Sequence, residues 1–235
     1  MVQNSFSKAI LAASTQCGIA VIPDIKSRSP KEGDLFRGRN PIESAAALVA
    51  AGAPVLSVVT EFERFGGSIP LFESIRNAAK VPLLRKDFIT TEDEIKRSVD
   101  IGASAVLLIC ANLSESLLQT LYEAALKHGI EPFVEAHLLS EIAVANKLNA
   151  ALIGVNNRDI TSFEVDGGGV AHSINLLQKV NKNAVKVSES GIFTRENVLS
   201  VRAAGADAAL VGTAIWQSRD VAEGYKTLNG GYLEK

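Results

Sequence analysis

Residues 101–108, IGASAVLL, set a glycine and an alanine directly ahead of an unbroken apolar run. The same unit returns as AGAPVLSV at 51–58 and AGADAALV at 204–211. Each reads as a helix stop followed by a buried strand. The first two copies start about 50 residues apart, which leaves room for two strand and helix pairs between them. Apolar strands without polar alternation are covered on both faces, and this implies a parallel sheet packed against helices.

Working outward, a short helix over residues 5–15 precedes a first strand from Ile19 to Lys26. Asn40, Pro41 and Glu43 then start a helix, with an Asn cap, a proline at the first helical position and an early acid; it runs to about Ala51. Further strands read from Pro54 to Thr60, Val81 to Lys86, Ala105 to Cys110, Glu131 to Glu135, Ala151 to Asn156, Val185 to Ser188 and Ala208 to Val211. The helices between them run from Ile69 to Ala79, from a Thr91 and Glu94 capping box to Gly102, from Ser114 to Lys127, from Ser140 to Leu148, from Val170 to Val180 and from Thr194 to Gly205. A closing helix spans Val221 to Leu228. Eight such pairs in about 200 to 250 residues close as a single (β/α)8 barrel, here one α/β domain over 1–235 with a short helical extension at 1–18. An open doubly wound sheet would carry a GxGxxG turn after the first strand, and that turn is absent.

The chain is 47% hydrophobic and 21% charged with a formal net charge of -2, the balance of a globular protein with a large core. The near-neutral charge without long runs of one sign argues against nucleic acid or a membrane as partner. Cys17 and Cys110 lack metal-ligand spacing and fit a reduced, cytoplasmic setting; neither reads as a nucleophile. His128, His137 and His172 form no metal motif, so no metal is expected. The apolar stretch near the N-terminus is too short for a signal peptide, so none is expected, and no run of about 18 apolar residues occurs.

In such a barrel the C-terminal strand ends form the active face. They carry Asp24 and Lys26, Glu61, Lys86, Cys110, Glu135, Asn156 with Arg158, Ser188 to Ser190, and Gly212 with Thr213. Six charged strand ends at one mouth point to proton-transfer chemistry. Lys86 ends the apolar strand in PLLRKDFI, and a lysine that loses hydration at an apolar rim is expected to have a lowered pKa. Ser190 with Gly191 and Gly212 with Thr213 supply small residues whose backbone N–H groups can reach an anion, with a helix start at Ala214 and Lys26 as counter-charge. Gly167 to Gly169 reads instead as a plain loop, because no lysine or strand-to-helix turn accompanies it.

In chain order, PDIKSRSPKEG (23–33), TEFERFGGS (60–68), LLRKDFI (83–89), FVEAH (133–137), GVNNRD (154–159), SESGI (188–192) and ADAALVG (206–212) resemble the indole-3-glycerol phosphate synthase family of tryptophan biosynthesis. The resemblance runs from about Ile19 to Gln217. It implies a cofactor-free carboxy-lyase acting on a small phosphorylated substrate, 1-(2-carboxyphenylamino)-1-deoxyribulose 5-phosphate, by ring closure, decarboxylation and dehydration. Other enzymes of tryptophan biosynthesis would be partners. By the same resemblance Lys86 is the acid for ring closure and Glu135 its partner in dehydration with Asn156 beside it. Glu61 would hold the lysine in register, Glu189 would line the reaction centre, and Lys26 would contact phosphate and assist proton transfer. Arg158 and Ser29 would hold the aryl carboxylate, and Phe88 and Leu107 would wall the ring.

Two features depart from the family pattern. Asp24 stands where a glutamate is usual, and its shorter side chain is expected to miss some hydrogen bonds. The N-terminal extension, a cover for the mouth in relatives, is short, so turnover is expected to survive with weaker substrate binding. A paralogous barrel lyase or isomerase on another sugar phosphate, and a non-catalytic phosphate binder, are the alternative readings.

Overall fold

The computed structural model describes residues 5–158 and 169–230. Eight parallel strands close into a barrel: β1 (Ala20–Ile25), β2 (Leu56–Val59), β3 (Leu83–Lys86), β4 (Ala105–Ile109), β5 (Glu131–Ala136), β6 (Leu152–Asn156), β7 (Val185–Glu189) and β8 (Ala208–Val211). The seam between β1 and β8 pairs Ala20 with Ala208 and Pro23 with Val211. Ten α-helices are described: α1 (Phe6–Cys17), α2 (Pro41–Ala50), α3 (Ile69–Ala78), α4 (Glu92–Asp100), α5 (Glu115–Lys127), α6 (Leu139–Lys147), α7 (Ala171–Leu177), α8 (Arg195–Ala203), α9 (Thr213–Gln217) and α10 (Val221–Asn229).

Local signals account for most of the boundaries. The Asn40 side chain accepts from the N–H groups of Ile42 and Glu43 and starts α2 with Pro41 at its first position. Thr91 and Glu94 close the expected capping box of α4. The helix expected from Val170 to Val180 is shorter, Ala171–Leu177, and its start lacks a side-chain cap. A two-stranded hairpin, Arg28–Ser29 against Gly33–Asp34, lies inside the SRSPKEG loop. Strands of two residues are too short to leave a periodic signal in the sequence. Gly167 and Gly168 of the glycine run lie outside the described residues.

The strands are buried on both faces, and the two faces feed separate clusters. Alternate residues such as Val21, Val58, Val106 and Val134 join Trp216, Tyr225 and the helices in the outer layer. Their neighbours Ala20, Ile22, Leu84, Leu107, Phe133, Leu152, Val187 and Leu210 fill the barrel interior. Phe6 and Ile10 of α1 belong to that inner cluster. Ser7 N–H and Ser5 Oγ both donate to Glu131, the first residue of β5. The N-terminal helix therefore plugs the end of the barrel where the strands begin, opposite the end where they finish.

Candidate active site

The period of two that sorts the core also builds the mouth. Following the inward residues along each strand leads from Ile22 to Asp24, from Leu84 to Lys86, from Phe133 to Glu135, from Gly154 to Asn156 and from Val187 to Glu189. Outward residues go to the scaffold instead: Arg85, between Leu84 and Lys86, donates to Thr60, Ser98, Asp87 and the Glu94 carbonyl. Each polar inward residue sits one layer above an apolar one, at the open rim of a packed interior.

Lys86 is the hub. Its Nζ donates to Glu135 Oε2 at 3.1 Å and to Glu189 Oε2 at 3.0 Å, linking β3 with β5 and β7. Asn156 Nδ2 donates to Glu135 Oε1 at 3.0 Å, so both oxygens of that carboxylate are held. Glu189 Oε1 is buried without a hydrogen-bond donor among the described residues. It fills the space left by Gly154, where an added Cβ would come within 2.0 Å of that oxygen and 2.6 Å of the Phe133 ring.

The charges of this group are coupled. Burial pushes the Lys86 pKa down, but the surrounding carboxylates of Glu135, Glu189 and Asp24 outweigh it and the pKa is raised. This corrects the expectation of a lowered value, which considered hydration loss without the acids supplied by other strands. Glu189 is pushed up to about 8, first by burial and then by Glu135, against the pull of Lys86. Burial is the larger cause because Glu189 is almost fully enclosed and one of its oxygens has no donor among the described residues, which disfavours its charged form.

These groups floor a cleft of about 1030 Å³, a volume that includes the open solvent at its mouth. Its walls include Asp24, Lys26, Glu61, Phe88, Leu107, Arg158, Ser190, Gly191, Gly212 and Thr213 along with Lys86, Glu135, Asn156 and Glu189. Ser29 is not among the lining residues; it is buried in the hairpin, and its hydroxyl accepts from Glu32 N–H. Glu61 makes no described bond to Lys86. Its carboxylate accepts from the N–H groups of Arg64 and Phe65 and caps its own loop. Asp24 does find a short-range partner, Ser57 Oγ at 2.6 Å, so the shorter acid is satisfied within the barrel.

The far wall has a different character. Ser190 and Gly191 both take positive φ, 64° and 69°. A Cβ on Gly191 would lie 2.3 Å from the Gly169 carbonyl oxygen, so glycine is needed there for space as well as conformation. Facing them, Gly212 and Thr213 open α9. Apolar and aromatic residues complete the cleft, with Arg64 over the Phe88 ring at 5.1 Å and Lys26 over Phe65 at 5.3 Å. Gly154, Phe65 and Phe193 were not singled out by sequence reasoning. The inward parity of 152, 154 and 156 was the available signal for Gly154.

The sequence model of the family described as indole-3-glycerol phosphate synthase matches residues 2–228. The chain is 41% identical over 223 residues to the indole-3-glycerol phosphate synthase of Pyrococcus furiosus, covering 95% of this chain and 96% of that protein. It is 42% identical over 200 residues to the enzyme of the same name from Pyrococcus abyssi, covering 85% and 86%. Among solved structures, 3-hexulose-6-phosphate synthase from Salmonella typhimurium aligns with a TM-score of 0.72 at 17% identity, covering 90% of this chain and 97% of that one. That last likeness is one of fold.

Proposed function

The chain belongs to the indole-3-glycerol phosphate synthase family, and from that membership we propose that its mouth converts 1-(2-carboxyphenylamino)-1-deoxyribulose 5-phosphate to indole-3-glycerol phosphate. The observation that carries this reading is the Lys86 ammonium, hydrogen-bonded to two carboxylates from other strands on the floor of a cleft that Ser190, Gly191, Gly212 and Thr213 also line. The substrate has matching ends, a phosphate and an aryl carboxylate, with a ketone between them.

In the proposed sequence the aryl carbon bearing the carboxylate attacks the ketone carbon, and Lys86 gives its proton to the ketone oxygen. The new carbon-carbon bond leaves a cationic ring, and loss of carbon dioxide returns the electron pair that restores aromaticity. Glu189, protonated near neutral pH and in contact with Nζ, can recharge Lys86. The hydroxyl then leaves as water with a proton from Lys86, while Glu135, held by Asn156, takes the proton from the ring carbon next to nitrogen. Two groups of opposite sign thus divide the proton transfers between them.

Ser190, Gly191, Gly212 and Thr213 are proposed to take the phosphate with Lys26 as counter-charge. Arg158 is proposed for the aryl carboxylate, and Phe88 and Leu107 for the ring. Ser29 and Glu61 act through the shape of their loops. A cytoplasmic setting alongside the other enzymes of tryptophan biosynthesis belongs to the same reading; no helix among the described residues is long and apolar enough to cross a membrane.

The test follows product fluorescence after mixing the protein with this substrate. Wild type is expected to turn over, and Lys86→Ala to bind substrate while kcat falls by about 10² to 10⁴-fold. Binding without product in the wild type would identify a phosphate-ligand binder and overturn the enzymatic reading.

A further inference from the structure

Asn156 and Asn157 stand side by side where β6 ends, and a strand turns successive side chains to opposite faces. Asn156 turns inward to Glu135. Asn157 turns the other way, toward β7 and α7, and is also buried. Its Nδ2 lies 3.0 Å from the Glu189 carbonyl oxygen, 2.9 Å from the Ser190 carbonyl oxygen and 3.2 Å from Ser188 Oγ. Its Oδ1 accepts from Ser173 N–H at 2.8 Å, and its own N–H donates to Glu189 O at 2.8 Å. Ser173 Oγ and Ser188 Oγ, 2.8 Å apart, complete this buried polar group.

The carbonyls gripped by that one amide lead directly into the left-handed pair Ser190 and Gly191. For a residue with a Cβ this conformation is strained and persists only where its surroundings impose it. Asparagine is suited to the task because it donates to the carbonyls of β7 and accepts from α7 at once. An aspartate of the same shape would turn an oxygen toward two carbonyl oxygens, and an apolar side chain would leave both carbonyls and the Ser173 N–H without this partner.

We propose that Asn157 is a positioning residue for phosphate recognition: it pins the Ser190–Gly191 turn in the shape that presents backbone N–H groups to the cleft, while its neighbour Asn156 serves the proton-transfer pair. Two adjacent asparagines thereby divide binding from chemistry. This rests on the reading that the turn receives the substrate phosphate.

Steady-state kinetics on the whole chain, with inorganic phosphate as competing probe, tests it. Asn157→Asp is expected to raise KM and the phosphate inhibition constant together by about tenfold or more, with kcat falling less than about threefold. Asn157→Ser, which keeps one shorter donor, should fall between it and wild type, and it serves if the aspartate variant does not fold. Asn156→Ala should show the reverse split, a loss in kcat. A merely structural role would lower the active fraction and leave both constants unchanged, and that result in a folded Asn157 variant would overturn the proposal. Gly191→Val reports on the reading beneath it. If that variant weakens phosphate inhibition and the Asn157 variants do not, the proposal fails and the phosphate site stands. If phosphate does not compete in the wild type, both fail.

Discussion

Lys86 holds a charge that its burial opposes and its neighbours require. Its side chain is 20% exposed, whereas Glu135 and Glu189 are 3% and 1% exposed, so the pair of acids is drier than the base between them. The lysine stays protonated throughout the neutral range because its pKa is raised, and burial pushes Glu189 up to about 8. In the proposed cycle Glu189 recharges Lys86, so kcat is expected to fall as the pH rises through about 8 and this proton is lost. Glu189→Gln carries no such proton. Its pH profile should lack the alkaline limb and its kcat at pH 7 should fall by about 10 to 100-fold. An alkaline limb of the same position in both proteins would remove Glu189 from the relay. Cys110, which follows β4 and packs in the outer cluster rather than lining the cleft, is pushed up to about 12 by burial and by the nearby Glu141 and Glu135, which suits an inert thiol.

At the scale of elements, α1 has a place that its sequence position did not disclose. Read from the sequence only as a short helical extension, it plugs the end of the barrel opposite the mouth, with Phe6 and Ile10 fully buried in the inner cluster. Gly18 ends it with φ 81° and turns the chain straight into β1. Truncating the plug opens a cavity beneath the barrel without touching the cleft. Phe6→Ala is expected to lower the free energy of unfolding by about 3 to 5 kcal/mol in urea titrations, while KM stays within about twofold of wild type. A large rise in KM with little loss of stability would place this helix at the working end instead. The hairpin of Arg28–Ser29 and Gly33–Asp34 holds Ser29, and the Glu61 carboxylate accepts from N–H groups of its own loop, so both residues have local partners that their sequence positions did not disclose.

For the whole molecule, the site is a cost that the barrel carries. Glu189 has an ordinary value of 4.5 when unfolded and about 8 when folded, so between those values the folded chain holds a proton that the unfolded chain has released. Its contribution to stability is therefore fully present below about pH 4.5 and is lost as the pH rises to about 8. Urea midpoints measured from pH 5 to pH 8 should decline more in wild type than in Glu189→Gln; parallel curves would contradict the linkage. The amino-acid sequence by itself determined the strand and helix alternation, the caps and the set of polar strand ends. Those depend on neighbours within a few residues, on a period of two in strands, and on capping residues such as Asn40 and Thr91. Only the tertiary structure decided which ends meet. Lys86 and Glu189 are 103 residues apart in the chain and 3.0 Å apart in space, a contact made by closure of the ring rather than by any local pattern. The same closure reversed the expected pKa shift of Lys86 and drew Glu189 into the notch at Gly154, because electrostatics and packing act through space and do not follow the order of residues.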